Sequence, residues 1–245
     1  MSDVRSVIVS GGASGIGRAI VDHLVGAGSR VLVLDLNEAG LDDLRAVHGD
    51  RVRTRQADIS DHDLVARAVD GWAAEHSLWG LVNNAGWDRA ARFVDTEPEF
   101  WRKVIDINLY GPLNLTHAVL PHLIAGGGGR VVSIASDAGR VGSSGEAVYS
   151  AAKGGTIALM KTLAREHARD RITFNSVCPG PTDTPLLAGF DETGKLQQAL
   201  VRSVPMRRLA TPEDFPALVG FFLSDAAGYV TGQTISVSGG LTMHG

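Results

Sequence analysis

The chain has 245 residues, of which 44% are hydrophobic and 20% charged, and a net charge of −4 with acids and bases interspersed. This is the composition of a globular protein with a sizeable core. It argues against a nucleic-acid or anionic-membrane partner, which would need clustered Lys and Arg. A single cysteine, Cys178, excludes an internal disulfide; the start "MSDVRSVIVSGG" lacks a basic-then-apolar leader and no apolar run is long enough to span a membrane, so the cytoplasm is the expected location.

Taken in chain order, short β-branched runs alternate with longer stretches of helical periodicity. The runs are "SVIVS" (6–10), "RVLVLD" (30–35), "RVRTRQAD" (51–58), "LWGLVNNAG" (78–86), "GRVVSIAS" (129–136), "ITFNSVCPG" (172–180) and "QTISVSGG" (233–240). Helices are expected at 14–27, 37–46, 60–76, 97–124, 147–169 and 211–224. Strand–helix alternation predicts an α/β protein: a single-domain, doubly wound Rossmann fold over 1–245, with a seven-stranded parallel sheet and helices on both faces. The glycine run 126–129 falls where a helix must turn into a strand. Segment 181–204 is too long for a simple connection and is expected to act as a substrate flap.

"VIVSGGASGIGRAI" reads as strand, glycine-rich turn and helix. Glycines at 11, 15 and 17 remove side chains where a backbone must approach a pyrophosphate, and the helix N-terminus offers free N–H groups. The spacing Gly-x-x-x-Gly-x-Gly departs from the usual dinucleotide fingerprint. At the end of the second run, Asp35 lies where a carboxylate can accept from ribose hydroxyls and repel a 2′-phosphate; a solvated turn aspartate is the alternative. With no Arg or Lys at 12–14 or 36–37, NAD is favoured over NADP. Asp58 ends the third run, as an adenine contact or as a cap. "NNAG" (83–86) ends the fourth at the carboxyl edge of the sheet, where ligands bind in such folds.

These motifs, with Asn108 in "IDINLYG", Ser136, Tyr149 and Lys153 in "AVYSAAKGG", and "PGPTDT" (179–184), resemble the short-chain dehydrogenase/reductase family over essentially the whole chain. "NNAGWD", "IASDAGRVGSSGEAVYSAAKGG", "TLAREHARDRIT", "VCPGPTDT" and "SVSGGLTM" further resemble the 2-hydroxycyclohexanecarboxyl-CoA dehydrogenases. The resemblance implies an NAD-dependent oxidoreductase acting on a secondary alcohol or ketone, with a 3-oxoacyl thioester reductase or a broad cyclic alcohol/ketone dehydrogenase as the alternative. A silent NAD(H)-sensing regulator is a remote alternative, since such a protein is expected to lose the Tyr or the Lys that this chain keeps.

Tyr149 and Lys153, four apart, share one helix face. An adjacent ammonium and a cationic nicotinamide are expected to lower the phenol pKa toward neutrality, making Tyr149 the general acid–base. Ser136 is expected to hold the substrate oxygen, and Lys153 to bond the nicotinamide ribose as well. The resemblance assigns Asn108 to a water relay, a role that helical position alone would not suggest. It lays the cofactor along Gly11, Ser14, Gly15, Ile16, Gly17, Asp35, Leu36, Asp58, Ile59, Asn84, Ala85, Gly86, Pro179, Gly180, Thr182 and Thr184. For the substrate, Trp87, Asp137, Ser143, Ser144, Leu186 and Leu187 are expected beside the catalytic groups, with Asp88 and Glu146 in the same loops. Lys195, Arg140 and Arg92 are considered against a CoA phosphate. The eight histidines are scattered, and no catalytic metal is expected. The resemblance also implies a homotetramer.

Overall fold

The computed structural model describes residues 4–188 and 195–243. In chain order the elements are β1 (Ser6–Ser10), α1 (Gly15–Gly26), β2 (Arg30–Asp35), α2 (Glu38–His48), β3 (Val52–Gln56), α3 (His62–Ala73) and β4 (Leu78–Asn83). They continue with α4 (Pro98–Ile105), a π turn (Asp106–Tyr110), α5 (Gly111–Ala125), β5 (Gly129–Ile134), α6 (Ala138–Val141) and α7 (Ala147–Glu166). The chain closes with β6 (Ile172–Pro179), α8 (Pro185–Ala188), α9 (Lys195–Ser203), α10 (Pro216–Leu223) and β7 (Thr234–Val237).

All strand pairings are parallel, in the order β3-β2-β1-β4-β5-β6-β7. The doubly wound prediction is thus met. The strand order reverses between β1 and β4, and a crevice opens at the carboxyl ends of strands on either side of such a point. The central strands are buried on both faces, as in "SVIVS", where all five residues are buried, while the edge strand β3 is largely exposed. Two apolar layers flank the sheet. One packs Ile20, Val21 and Leu24 of α1 with Val219 and Phe222 of α10. The other packs Val65 and Val69 of α3 with Leu115 and Val119 of α5 and Met160 of α7. Each fully buried side chain of this size contributes about 1.5–3 kcal/mol.

Several strands end earlier than their apolar runs predict. β3 stops at Gln56, β4 at Asn83 and β5 at Ile134. Asp58, Asn84–Gly86 and Ser136 therefore lie just past strand ends, where small and polar residues leave the ladder for the carboxyl-edge loops. The glycine run closes α5: Gly126 and Gly127 donate to His122 and Ile124, and Gly127 takes φ +77°, which disfavours a side chain. Segment 181–204 carries α8 and α9; residues 189–194 of this expected flap lie outside the described set, as do the side chains of Leu186 and Lys195. Among the described residues no helix is long and apolar enough to cross a membrane.

Candidate active site

The glycine turn is shaped by contacts that leave no room for a Cβ. Gly11 has φ +66°, and a Cβ there would lie 2.7 Å from the Ala85 Cα. At Gly17 a Cβ would meet the Gly11 carbonyl oxygen at 2.0 Å and Asn84 Nδ2 at 2.4 Å. Asn84 holds this crossing together: its Nδ2 donates to the Ser10 and Gly11 carbonyls at 3.1 and 2.8 Å, and its backbone N–H donates to Ser10 Oγ at 3.1 Å. Gly15, at φ +53°, faces Thr184 across the crevice, with a Cβ position 3.5 Å from its Cγ2. The turn between β1 and α1 thus lies against the end of β4 on one side and the 179–184 segment on the other.

Asp35 is bound into the same turn. Its Oδ2 accepts from the Ala13 N–H and its Oδ1 from the Asn37 N–H, both at 2.9 Å. Neither contact uses all the lone pairs of a carboxylate. Leu36 is exposed beside it. Asp58 forms a tight turn, with Oδ1 accepting from the backbone and hydroxyl of Ser60 at 2.9 and 2.7 Å. Ile59 beneath it is buried, and Asn114 of α5 donates to the Ile59 and Ser60 carbonyls, pinning this loop to the core. The glycine cradle, Asp35 and the Asp58 turn fit a dinucleotide, because backbone N–H groups and carboxylates face one crevice over a helix N-terminus.

Tyr149 and Lys153 lie one turn apart on α7, with the Lys153 Nζ 5.5 Å from the phenol ring centroid. Ser136, which follows β5, hydrogen-bonds the Tyr149 side chain, and Ser136 Oγ accepts from the Ala138 N–H at 3.1 Å. Close approach of α6 to α7 depends on two glycines: a Cβ at Gly139 would lie 2.6 Å from the Gly154 backbone nitrogen. Lys153 is buried and donates to the Ile134 carbonyl at 2.9 Å. Burial pulls its pKa down to about 8.

The expected lowering of the phenol pKa is not met in the protein alone. Burial, then the Glu146 carboxylate, push Tyr149 well above the ordinary phenol value, and the Ser136 hydrogen bond only partly offsets them. Removing solvent penalises the phenolate more than its neighbours support it.

Asn108 sits in the π turn that interrupts the helix expected over 97–124. Pro112 has no N–H to return to the carbonyl four residues back, which is that of Asn108, and Gly111 donates instead to Asp106. The freed Asn108 carbonyl accepts from Thr156 Oγ1 of α7 at 2.9 Å. Its side chain grips the loop after β4: Nδ2 donates to the Trp87 carbonyl at 2.6 Å, and Oδ1 accepts from the Trp87 N–H at 3.3 Å. A Cβ at Gly86 would lie 3.0 Å from Asn108 Oδ1 and 3.4 Å from Lys153 Nζ, so only glycine leaves the space between them open.

Around this cluster the substrate expectations separate. Ser143 and Ser144 are exposed in the loop before α7, and Leu187 lies on α8. Trp87 is half-buried, its ring centroid 3.8 Å from the Lys103 ammonium and its ring edge-on to Phe100. Asp137 departs from expectation. It is 8% exposed, accepts from Ser236 Oγ of β7 and lies 3.6 Å from Arg140, which itself donates to Ser236. Sequence position beside Ser136 places it at the edge of the site, but the side chain turns inward as a brace. Arg140 is drawn into the same cluster. Segment 179–184 is laced by Gly180 N–H to Val237 and by Thr182 Oγ1 to the Gly180 carbonyl. A Cβ at Gly180 would lie 2.7 Å from the Ser238 Cα, so the segment packs directly on the chain after β7.

Sequence reasoning missed Ser10, Pro112 and Thr156. Pro112, four residues after Asn108, was the available signal; the other two act only through contacts between distant elements.

Residues 11–242 match the family model described as enoyl-(acyl carrier protein) reductase. An acetoacetyl-CoA reductase of Acinetobacter sp. is 36% identical, covering 100% of both chains. A cis-4-hydroxycyclohexanecarboxylate dehydrogenase of Sinomonas cyclohexanicum is 37% identical, over 97% of this chain and 96% of the relative. Among solved structures, a 3-ketoacyl-(acyl-carrier-protein) reductase from Brucella melitensis complexed with NADH superposes with a TM-score of 0.93 at 27% identity, covering 99% and 100% of the two chains. A structure from Beutenbergia cavernae with bound NADP at low occupancy has a TM-score of 0.91 at 32% identity, over 98% and 97%. The chain belongs to the classical short-chain dehydrogenase/reductase family and is an oxidoreductase of the carbinol–ketone couple.

Proposed function

We propose that the protein is an NAD-dependent dehydrogenase of a secondary alcohol, with a cyclic β-hydroxyacyl-CoA such as 2-hydroxycyclohexanecarboxyl-CoA as substrate. The observation that carries this reading is the convergence of Ser136, Tyr149 and Lys153 on one edge of the crevice, opposite the glycine turn and Asp35.

The glycine turn, Asn84–Gly86 and segment 179–184 would hold the dinucleotide. Asp35 would take the adenosine ribose, its negative charge disfavouring a 2′-phosphate. When bound, the nicotinamide accepts or returns the hydride at the carbinol carbon. Tyr149, held neutral by burial, gives its proton to a ketone oxygen in reduction; in oxidation it first releases that proton to solvent and, as the phenolate, takes the carbinol proton, so oxidation gains as pH rises. The Ser136 hydroxyl meets the charge developing on that oxygen. Lys153 links the phenol to the Ile134 carbonyl and to the gap beside Gly86, through which protons pass to Asn108 and solvent.

Trp87, Ser143, Ser144, Leu186, Leu187 and the 181–204 flap would line the substrate. Similarity to an acetoacetyl-CoA reductase and a 3-ketoacyl-(acyl-carrier-protein) reductase favours a second reading, reduction of 3-oxoacyl thioesters by the same groups. The assembly proposed is a cytoplasmic homotetramer, supported by exposed Tyr110 on the π turn and Ile235 on the edge strand β7. Light scattering after size exclusion checks it.

The test is a panel of cyclic β-hydroxyacyl-CoA thioesters, free cyclic alcohols and their ketones, run with NAD and NADP. The reading expects reduced-nicotinamide absorbance to appear with the cyclic thioester and NAD. An absence of turnover across the whole panel overturns it.

A further inference from the structure

An acidic flank lies beside the catalytic cluster, and apart from raising the phenol it has no role in the chemistry above. Asp88 follows β4 and Glu146 precedes α7; the two segments are tied by the Ala91 N–H to the Gly145 carbonyl at 2.9 Å. Both carboxylates line one recess, with Ala91, Phe93, Phe100 and Val148. Asp88 is 4% exposed, yet its Oδ2 has no hydrogen-bond partner among the described residues. Buried polar atoms are ordinarily paired, and here the Arg89 backbone N–H and the Arg89 charge offset the negative field of the carboxylate only in part. The neighbouring cation, Arg89, lies over the Phe100 ring at 5.2 Å and forms no ion pair with Asp88.

The charged and titratable groups that face Tyr149 are Glu146 from the loop before its helix, Asp88 from the β4 loop, Cys178 from β6 and Lys153 one turn on. Arg89 and Glu146 are those that act on Asp88. On the side of the recess the field at the phenol is negative.

We infer that Asp88 and Glu146 form an anionic flank that selects substrates uncharged next to the reacting carbon, thioesters included, and turns away free β-carboxylates. The inference rests on the dehydrogenase reading and sharpens its substrate class. A β-hydroxy acid with its oxygen at Tyr149 carries its carboxylate only two carbon–carbon bonds from the carbinol carbon. In a partly buried site, neighbouring like charges repel strongly. The thioester of the same acid is neutral there, and a carboxylate across the ring lies farther off.

The test compares kcat/KM for the N-acetylcysteamine thioester and the free acid of 2-hydroxycyclohexanecarboxylate, in the native protein, Asp88→Asn and Glu146→Gln. Thermal melting and NADH binding verify folding, and Glu146→Gln decides the matter if Asp88→Asn does not fold. The native enzyme is expected to prefer the thioester, and each variant to raise the relative kcat/KM of the acid by about tenfold. Burial raises the Asp88 carboxyl to about 6, so in the native enzyme the preference narrows as pH falls through that value, a shift that a purely structural Asp88 would not produce. An unchanged acid-to-thioester ratio in both variants overturns the inference and leaves the dehydrogenase reading standing. Absence of turnover with every compound overturns that reading, and the inference with it.

Discussion

The glycine turn and the catalytic edge lie on one crevice and are built by opposite means. The turn depends on missing atoms: Gly11 and Gly17 fit because nothing projects where Ala85, Asn84 and the Gly11 carbonyl pass. The catalytic edge and its flank hold groups that are costly to bury, namely a lysine 3% exposed and an aspartate with one carboxylate oxygen unpartnered among the described residues. The first region is therefore broken by adding one carbon, the second by changing one charge or proton. The contrast teaches that the binding half is a steric problem and the reacting half an electrostatic one.

Four substitutions probe that contrast. The largest effect is expected from Tyr149→Phe, which removes the hydroxyl that exchanges a proton with the substrate oxygen while keeping the ring. Turnover should fall by about a thousandfold with NADH affinity retained, as read by steady-state kinetics beside a fluorescence titration. Native-like rates would remove Tyr149 from its role.

Gly17→Ala attacks the turn. Its methyl group would meet a backbone oxygen at 2.0 Å, which no rotamer change relieves. We expect a stability loss of about 2–3 kcal/mol together with loss of dinucleotide binding. Denaturant unfolding at native stability would show that the crossing is looser than this geometry.

Lys153→Met separates activity from stability. Burial lowers the Lys153 pKa to about 8 from 10.5, so the folded state binds its proton less tightly than the unfolded state does. The buried ammonium is thus a cost, present in full below pH 8 and relieved as pH rises from about 8 to about 10.5. Removing it should gain about 1–2 kcal/mol at neutral pH after the lost bond to Ile134 is counted, while abolishing turnover. A lower melting temperature at neutral pH would contradict this sign.

The smallest effect concerns Asp35→Asn, which keeps the shape and removes the charge. The ratio of NAD to NADP use should shift toward NADP by about tenfold, the worth of roughly 1.4 kcal/mol. An unmoved ratio would show that Asp35 serves only the turn it makes with Ala13 and Asn37.

Much of this was legible in the chain itself. Doubly buried strands alternate with amphipathic helices, and periodicity is local, so the sheet and its winding could be read directly. The glycine turn was legible because its mechanism demands a strand before it and a helix after it. Tyr149 and Lys153 were legible as a pair because helical spacing alone puts them on one face. Asp137 was misplaced because sequence adjacency to Ser136 says nothing of which way a side chain turns after a strand ends. The π turn at Asn108 escaped because the apolar periodicity of 97–124 runs through it, and only the freed carbonyl and Thr156 reveal its use.

By itself, then, the sequence determined the order and type of elements, the backbone cradle and the identity of the reacting side chains, since these follow from local sterics and period. Tertiary structure alone decided the proton balance. Burial raises the phenol and the Asp88 carboxyl and lowers the ammonium, and burial is a sum over atoms from distant elements that no single stretch of chain contains.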